Sequence, residues 1–382
     1  MCKIFGIVFM LICLAYGQDR KVTSGLNPGC AACTADTIVA YVRCEGNADT
    51  IHQIWDFSNH APTFILALTS VNSTLNITWD GSSIRSFNFT ENPKYSFAAS
   101  VDKFIEYNDT DSNCKVNTSY SWKEYSFDMV SWTLNESKFD SKEAMIVVSG
   151  KIHDKRFRNA TIHLKTQYLP WTGAAEELPR LVHTANSSLV DIRLARLPTS
   201  YPAPRYALRL TLVSTDDVAD TMRLERRKSL DDEHTPGVFE IDEILSPALH
   251  GRGAGGYVQF RPVGYTQPRR TVASSTLVHV ADFDRISFPR HSTLRLFYDG
   301  AAFDAVLAQA ALVTFGDSGD GFYAKSNYTD WSWSLGCGAV PAESLSLAAV
   351  VVLAAGAGGA ALLAVGGGAA LLLRRRTHTR LH

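Results

Sequence analysis

The densest group of reactive side chains in this 382-residue chain is Asp231, Asp232, Glu233 and His234, beside Arg226, Arg227 and Lys228. Clustered carboxylates bind hard cations or exchange protons, which raises calcium binding and acid–base catalysis. The spacing fits no calcium loop, and adjacent runs of opposite charge read as a solvated turn; the basic run alone also reads as a processing site. His52, His60, His153, His163, His183, His234, His250, His279 and His291 are scattered singly, a distribution typical of structural histidines. Their titration range overlaps that of an acidic lumen, which leaves a pH-sensitive interface open. GxSxG, HExxH and P-loop patterns are all missing, and the glycine-rich 251–256 stretch lacks the lysine and helix that a phosphate loop needs. The formal net charge of −1 gives no footprint for nucleic acid. No catalytic, metal or cofactor-binding residue is expected, and no cofactor. A tethered hydrolase acting through Asp231, Asp232 or Glu233 is the enzymatic alternative.

The residues with the clearest chemistry are sites of modification. Asn72, Asn76, Asn88, Asn108, Asn117, Asn135, Asn159, Asn186 and Asn327 each stand in N-x-[ST] without proline. Eight of these nine precede residue 187, so the first half of the chain is expected to carry most of the sugar. A glycan is bulky and hydrated, so these asparagines must be exposed. Removing Cys2 and Cys13 with a leader leaves Cys30, Cys33, Cys44, Cys114 and Cys337 of the seven cysteines. In an oxidising lumen, Cys30, Cys33, Cys44 and Cys114 are candidates for two disulfides, with Cys337 left over. The Cys30–Cys33 CxxC follows an Asn-Pro-Gly turn and reads as a structural bridge rather than a redox motif.

These sites need a compartment and an anchor. Residues 1–17 join Lys3, an apolar run and a small-x-small ending, the pattern of a secretory signal peptide. Residues 345–373 carry no charge and stop at Arg374-Arg375-Arg376. Roughly 20 apolar residues cross a bilayer as a helix, so one membrane-spanning helix is expected, with residues 374–382 as a cytoplasmic tail. Gly356, Ala360, Ala364 and Gly368 form a small-residue stripe along it, which allows close packing of a second helix. The expectation is a single-pass type I membrane glycoprotein with the lipid bilayer as one partner.

Between leader and span the pattern is strand-like. Stretches 37–43, 63–69 and 73–79 are rich in β-branched and aromatic residues and are separated by turn residues. In the third, Leu75, Ile77 and Trp79 alternate with Asn76 and Thr78, which separates a core face from a sugar-bearing face. Further strands are expected at 95–101, 104–107, 120–132, 144–148, 161–168, 189–194, 206–213, 237–241, 257–260, 277–280, 293–298 and 311–315. Residues 301–311 are open to a short helix. Trp331 and Trp333 suit either a last strand or the lipid interface. The proline-flanked 170–179 stretch reads as a linker. The expected fold is an all-β luminal ectodomain of two sandwich- or prism-like domains, 18–169 and 180–342, plus the one span.

Five segments, at 178–185, 229–245, 261–267, 73–79 and 328–335, resemble the glycosylated lysosomal membrane protein family in sequence and order. None is an active-site motif. The resemblance implies a lysosomal membrane protein that is an accessory subunit of a major facilitator superfamily transporter, forming a heterodimer with it. The partner would export small peptides, and the subunit would stabilise it and shield it from luminal proteases. The small-residue stripe is then a candidate contact with the transporter. The family's tail carries a tyrosine-based sorting signal, whereas Thr377-His-Thr-Arg-Leu-His382 has no tyrosine, which keeps a cell-surface binding or adhesion module as the alternative.

Overall fold

The computed structural model describes residues 20–59, 61–116, 121–178, 181–215, 221–231, 237–247, 255–261, 264–287, 292–300, 303, 306–341 and 355–356. Alternation of apolar and polar residues builds two antiparallel sheets from the first compact unit, which extends to Pro341. The nine-stranded sheet runs in the order Lys21–Leu26, Val39–Glu45, Thr50–Asp56, Thr63–Thr69, Tyr95–Asn108, Pro204–Ser214, Leu307–Phe315 and Val278–Arg285, with Trp122–Ser126 also on Tyr95–Asn108. The ten-stranded sheet runs Arg223–Asp231, Gly237–Leu245, Gly256–Phe260, Tyr328–Cys337, Ser187–Ala195, Thr161–Tyr168, Ala144–Ile152 and Val130–Phe139. Its two short remaining strands, Gly264–Tyr265 and Ser275–Thr276, pair with each other, and the first also pairs with Tyr328–Cys337.

One apolar core joins the two sheets, so the architecture is a β-sandwich. Leu208, Leu210 and Leu212 point into it from the first sheet, and Val190, Ile192, Trp331 and Trp333 from the second. Close contacts pin the sheets together. A Cβ on Gly256 would lie 2.0 Å from the Phe97 ring, so only glycine lets the strands approach there. Tyr95 Oη accepts from the Gly256 amide at 2.6 Å, and Ser188 Oγ donates to Gln53 Oε1.

The expected division at 170–179 does not hold. Strands from both sides of that stretch interleave in both sheets: Pro204–Ser214 lies between Tyr95–Asn108 and Leu307–Phe315, and Ser187–Ala195 pairs with Thr161–Tyr168. Neither half alone could bury both inner faces, so the halves fold as one sandwich. The 170–179 stretch itself contributes a two-residue strand, Gly173–Ala174, paired with Val182–His183. Ala175, Leu178 and Leu181 pack there with Leu189 and Tyr265.

Two other expectations change. The segment expected as a strand at 293–298 is a helix, Thr293–Gly300. Thr293, Leu294, Phe297 and Tyr298 are its buried residues, the i, i+3, i+4 spacing of one helical face. The stretch open to a helix at 301–311 instead feeds the strand Leu307–Phe315. Trp331 and Trp333 have no exposed surface and sit inside the sandwich, which settles the last strand against a lipid-interface position.

The leader (1–17), the tail (374–382) and nearly all of the 345–373 stretch lie outside the described residues; among those described, no helix is long and apolar enough to cross a membrane.

Candidate functional site

The acidic cluster gives no site among the described residues. Asp231 ends the strand Arg223–Asp231, and Asp232, Glu233 and His234 lie outside the described residues. The neighbouring basic residues are engaged in the paired strand rather than in a turn. Arg226 Nε donates to Asp242 Oδ1 at 2.7 Å and approaches Glu240 Oε1 at 3.1 Å, and Arg227 reaches Glu243 Oε1 at 2.9 Å. Among the described residues, no group of three or more His, Cys, Asp or Glu side chains is placed to hold a metal ion.

The cysteines depart from expectation. Cys30 and Cys33 form a disulfide in the loop that leads into the strand Val39–Glu45. That loop rests on the Leu75–Phe89 hairpin: Trp79 Nε1 donates to the Pro28 carbonyl at 3.0 Å. Cys44 and Cys114 are buried free thiols, as is Cys337, so no second bridge forms among them. Burial pushes all three thiols up to about 12, which leaves them protonated and unreactive at any physiological pH.

The sequons are distributed over the surface. Asn72, Asn76, Asn88, Asn135, Asn159 and Asn327 are exposed, Asn108 and Asn186 are half-buried, and Asn117 lies outside the described residues. Asn76 and Asn88 face each other across the Leu75–Asp80 and Ser83–Phe89 strands. Leu75, Ile77, Trp79, Phe87 and Phe89 turn to the opposite side and pack on the nine-stranded sheet with the Thr293–Gly300 helix. Asn135 falls at a β-bulge, where the ladder passes from Glu136↔Val147 to Leu134↔Val148, and bulges re-aim a side chain. Asn108, Asn135 and Asn186 each accept a hydrogen bond at Oδ1, from Ala203 N, Ser149 Oγ and Arg20 Nε. That fixes each amide while leaving Nδ2, the atom that carries an N-glycan, to point elsewhere.

A buried charge centre lies behind the other sheet, and no sequence motif announced it. Ser187–Ala195 and Tyr328–Cys337 pair with Asp191 opposite Ser332 and Arg193 opposite Asp330, all on the face turned away from the sandwich core. The loop that follows Gly264–Tyr265 brings Arg270 over them. Its Nη2 lies 2.5 Å from Asp191 Oδ2 and 2.9 Å from Asp330 Oδ2, with the guanidinium 5.5 Å from the Tyr265 ring centre. Arg193 Nη2 adds a bond to Asp191 at 2.7 Å, and Ser332 Oγ donates to Asp191 Oδ1 at 2.6 Å. Burial raises Asp191, but Arg270, Asp330 and Arg193 outweigh it and hold that carboxyl below the ordinary range. Burial and the Asp191 charge drive Asp330 well above it. The two carboxyls therefore titrate as a coupled pair, with Asp191 ionising before Asp330. With both arginines committed, the centre ties two strands to a covering loop.

Four of the five resembling segments meet around this region. Residues 328–335 are the central strand and 264–267 its paired neighbour; 178–185 leads into Ser187–Ala195, and 237–245 joins through Gly256–Phe260. Segment 73–79 lies apart, in the hairpin that holds the Asn76 and Asn88 sequons.

A sequence model of the family described as "Glycosylated lysosomal membrane protein" matches residues 38–378. The chain belongs to this family. It is 24% identical to glycosylated lysosomal membrane protein A of Xenopus laevis, across 87% of this chain and 84% of that protein. Its identity to the Danio rerio protein is 25%, across 86% and 82%, and to the Homo sapiens protein 23%, across 80% and 76%. At this distance the family resemblance rests on the whole sandwich rather than on one motif. Of the residues expected to pack in the span, Gly356 is exposed in a helical pair with Ala355, while Ala360, Ala364 and Gly368 lie outside the described residues.

Proposed function

We propose that the protein is a non-enzymatic lysosomal membrane glycoprotein, anchored once through residues 345–373 with its sandwich in the lumen. In that position it acts as the accessory subunit of a major facilitator superfamily transporter that exports peptides, stabilising this partner and shielding it from luminal proteases. The observation that carries the reading is the pairing of family membership with sequon placement: none of the eight described sequon asparagines is buried. A protein built to persist among proteases needs few accessible backbone sites. Glycans at Asn72, Asn76, Asn88, Asn135, Asn159 and Asn327 would cover exposed loops and edges from several sides. The Gly356, Ala360, Ala364 and Gly368 stripe suits close contact with a partner helix.

The test is purification of the full-length protein in mild detergent, beside a version whose residues 345–373 are replaced by an unrelated span. Co-purification of a multi-span transporter supports the accessory role. Its loss on replacement assigns the contact to the stripe, and its retention moves the contact to the sandwich. A protein that brings down no transporter in either form contradicts the proposal.

A further inference from the structure

A cavity of about 550 Å³ opens beside the short helix Phe322–Ser326. That volume lies in the range of small-molecule sites. Its walls come from the Gly264–Thr276 region, the turn after Leu307–Phe315, the helix and Thr329. The cavity borders the Asn327 sequon through Ser326 and Thr329 and the Arg270 loop through Gln267 and Pro268, but neither Asn327 nor Arg270 lines it, and the proposed function does not use the cavity.

Charge decides what it can hold. Arg205 lines the cavity but is only 2% exposed. Its Nε donates to Asp109 Oδ2 at 2.6 Å, and its terminal nitrogens donate to Asp320 at 2.7 and 2.8 Å. Lys325 Nζ donates to the Asp320 carbonyl at 3.0 Å. Arg205 is thus matched by two carboxylates and Asp317 adds a third at the wall, so the acidic groups here outnumber Arg205 and Lys325, which disfavours an anionic ligand such as a phosphate.

The remaining lining has two characters. Phe315, Phe322 and Tyr323 offer ring surface. Phe322 is held at φ 62° with its ring 4.9 Å from the Arg205 guanidinium, a left-handed conformation unfavourable to a bulky residue. Beside the rings stand the Gln267 amide and the hydroxyls of Ser326 and Thr329. Thr329 is 1% exposed and its Oγ1 has no hydrogen-bond partner, a cost that a bound hydroxyl would remove. A pyranose ring matches this lining: its C–H face packs on an aromatic ring, and its hydroxyls both donate and accept.

We propose that this cavity binds a neutral saccharide ring. The ring has two possible sources, a soluble sugar or the protein's own glycan at Asn327, which sits between the lining residues Ser326 and Thr329 in sequence. Asn327 Nδ2 donates to the Ala324 carbonyl at 3.4 Å, and neither Asn327 nor Ala324 lines the cavity.

The test uses the full-length glycoprotein in a detergent without a sugar headgroup, titrated with methyl α-mannoside and with N,N′-diacetylchitobiose. Saturation-transfer NMR and calorimetry should show binding of one of them with Kd on the order of 1 mM or tighter. Phe322→Gly suits the left-handed backbone and so preserves the fold, and it should weaken binding about tenfold. Thr329→Val removes the hydroxyl but also the sequon, so Asn327→Gln is its control, removing only the glycan. Weaker binding in Thr329→Val than in Asn327→Gln assigns the hydroxyl. Tighter binding of free sugar in Asn327→Gln identifies the protein's own glycan as the usual occupant; unchanged binding identifies a soluble sugar or the glycan of another molecule. The proposal is overturned if neither probe binds Asn327→Gln, or if Phe322→Gly and Thr329→Val, with melting unchanged, bind as tightly as Asn327→Gln.

Discussion

The two sheets cover their outer faces by opposite means. Outside the nine-stranded sheet, the Leu75–Phe89 hairpin and the Thr293–Gly300 helix lay Ile77, Phe87, Leu294 and Phe297 against Val39, Ile54, Ile65 and Val213. Outside the ten-stranded sheet, a loop lays Arg270 against Asp191 and Asp330. The apolar cover gains from burial and is indifferent to detail. The charged cover gains little net energy, because desolvation opposes attraction, but it tolerates no missing partner. One face is held by area, the other by complementarity.

The largest effect is expected from breaking the charged cover. Arg270→Met leaves two buried carboxyls against Arg193 alone and should cost about 4 kcal/mol in denaturant unfolding. A loss under 1 kcal/mol would mean that the loop does not depend on this centre. On the apolar side, Leu294→Ala should cost about 3 kcal/mol through lost burial and the cavity left behind, with no dependence on pH.

The charged side should also be distinguishable by pH. Asp330 is raised in the fold, so the unfolded chain ionises first, and stability from this group falls as pH rises from about 4 toward the raised value. Asp330→Asn mimics the neutral acid and should flatten that part of the pH profile of the melting temperature. An unchanged profile would show that the acid is ionised in the fold.

His52 gives the apolar side a pH response of opposite sign. Its ring is buried against Phe89, between Tyr41 Oη at 2.7 Å and Thr69 Oγ1 at 3.0 Å, and burial lowers it to about 4. The unfolded chain takes up this proton near pH 6.5, so stability should fall as pH drops from about 6.5 toward 4, by about 2 kcal/mol at pH 4.5. His52→Gln should remove this contribution in calorimetry between pH 7 and 4.5, leaving the separate one from His183, which burial also lowers to about 4.

The smallest effect on stability should come from the hairpin's outer side. Asn76→Gln with Asn88→Gln should shift unfolding by less than about 0.5 kcal/mol, while digestion by a lysosomal protease mixture accelerates. A large loss of stability would mean that the sugars hold the fold rather than cover it.

What could be read in advance follows the same division. The alternation of Leu75, Ile77 and Trp79 with Asn76 and Thr78 is local, and both faces lie where it places them. The segment 293–298 misleads because Leu294, Leu296 and Tyr298 alternate as in a strand, whereas the buried set is Leu294, Phe297 and Tyr298. The charged centre joins Asp191, Arg270 and Asp330 from distant parts of the chain, and only topology brings them together. Each sits in an unremarkable setting: alternation with the inward-facing Trp331 and Trp333 puts Asp330 on the other face, and nothing local says that this face is covered. The two-domain division failed for the same reason: a proline-flanked stretch is a local signal, and strand interleaving is not.

The proposed accessory role is tested most directly by the lifetime of a transporter that the purification above would capture, followed by pulse-chase in cells with acidic, protease-competent lysosomes. The transporter should be long-lived beside the intact protein. It should be degraded several times faster when the protein is absent, or when Asn72, Asn76, Asn88, Asn135, Asn159 and Asn327 are replaced by glutamine with the sandwich still folded. A lifetime that is the same in all three conditions would contradict the shielding account.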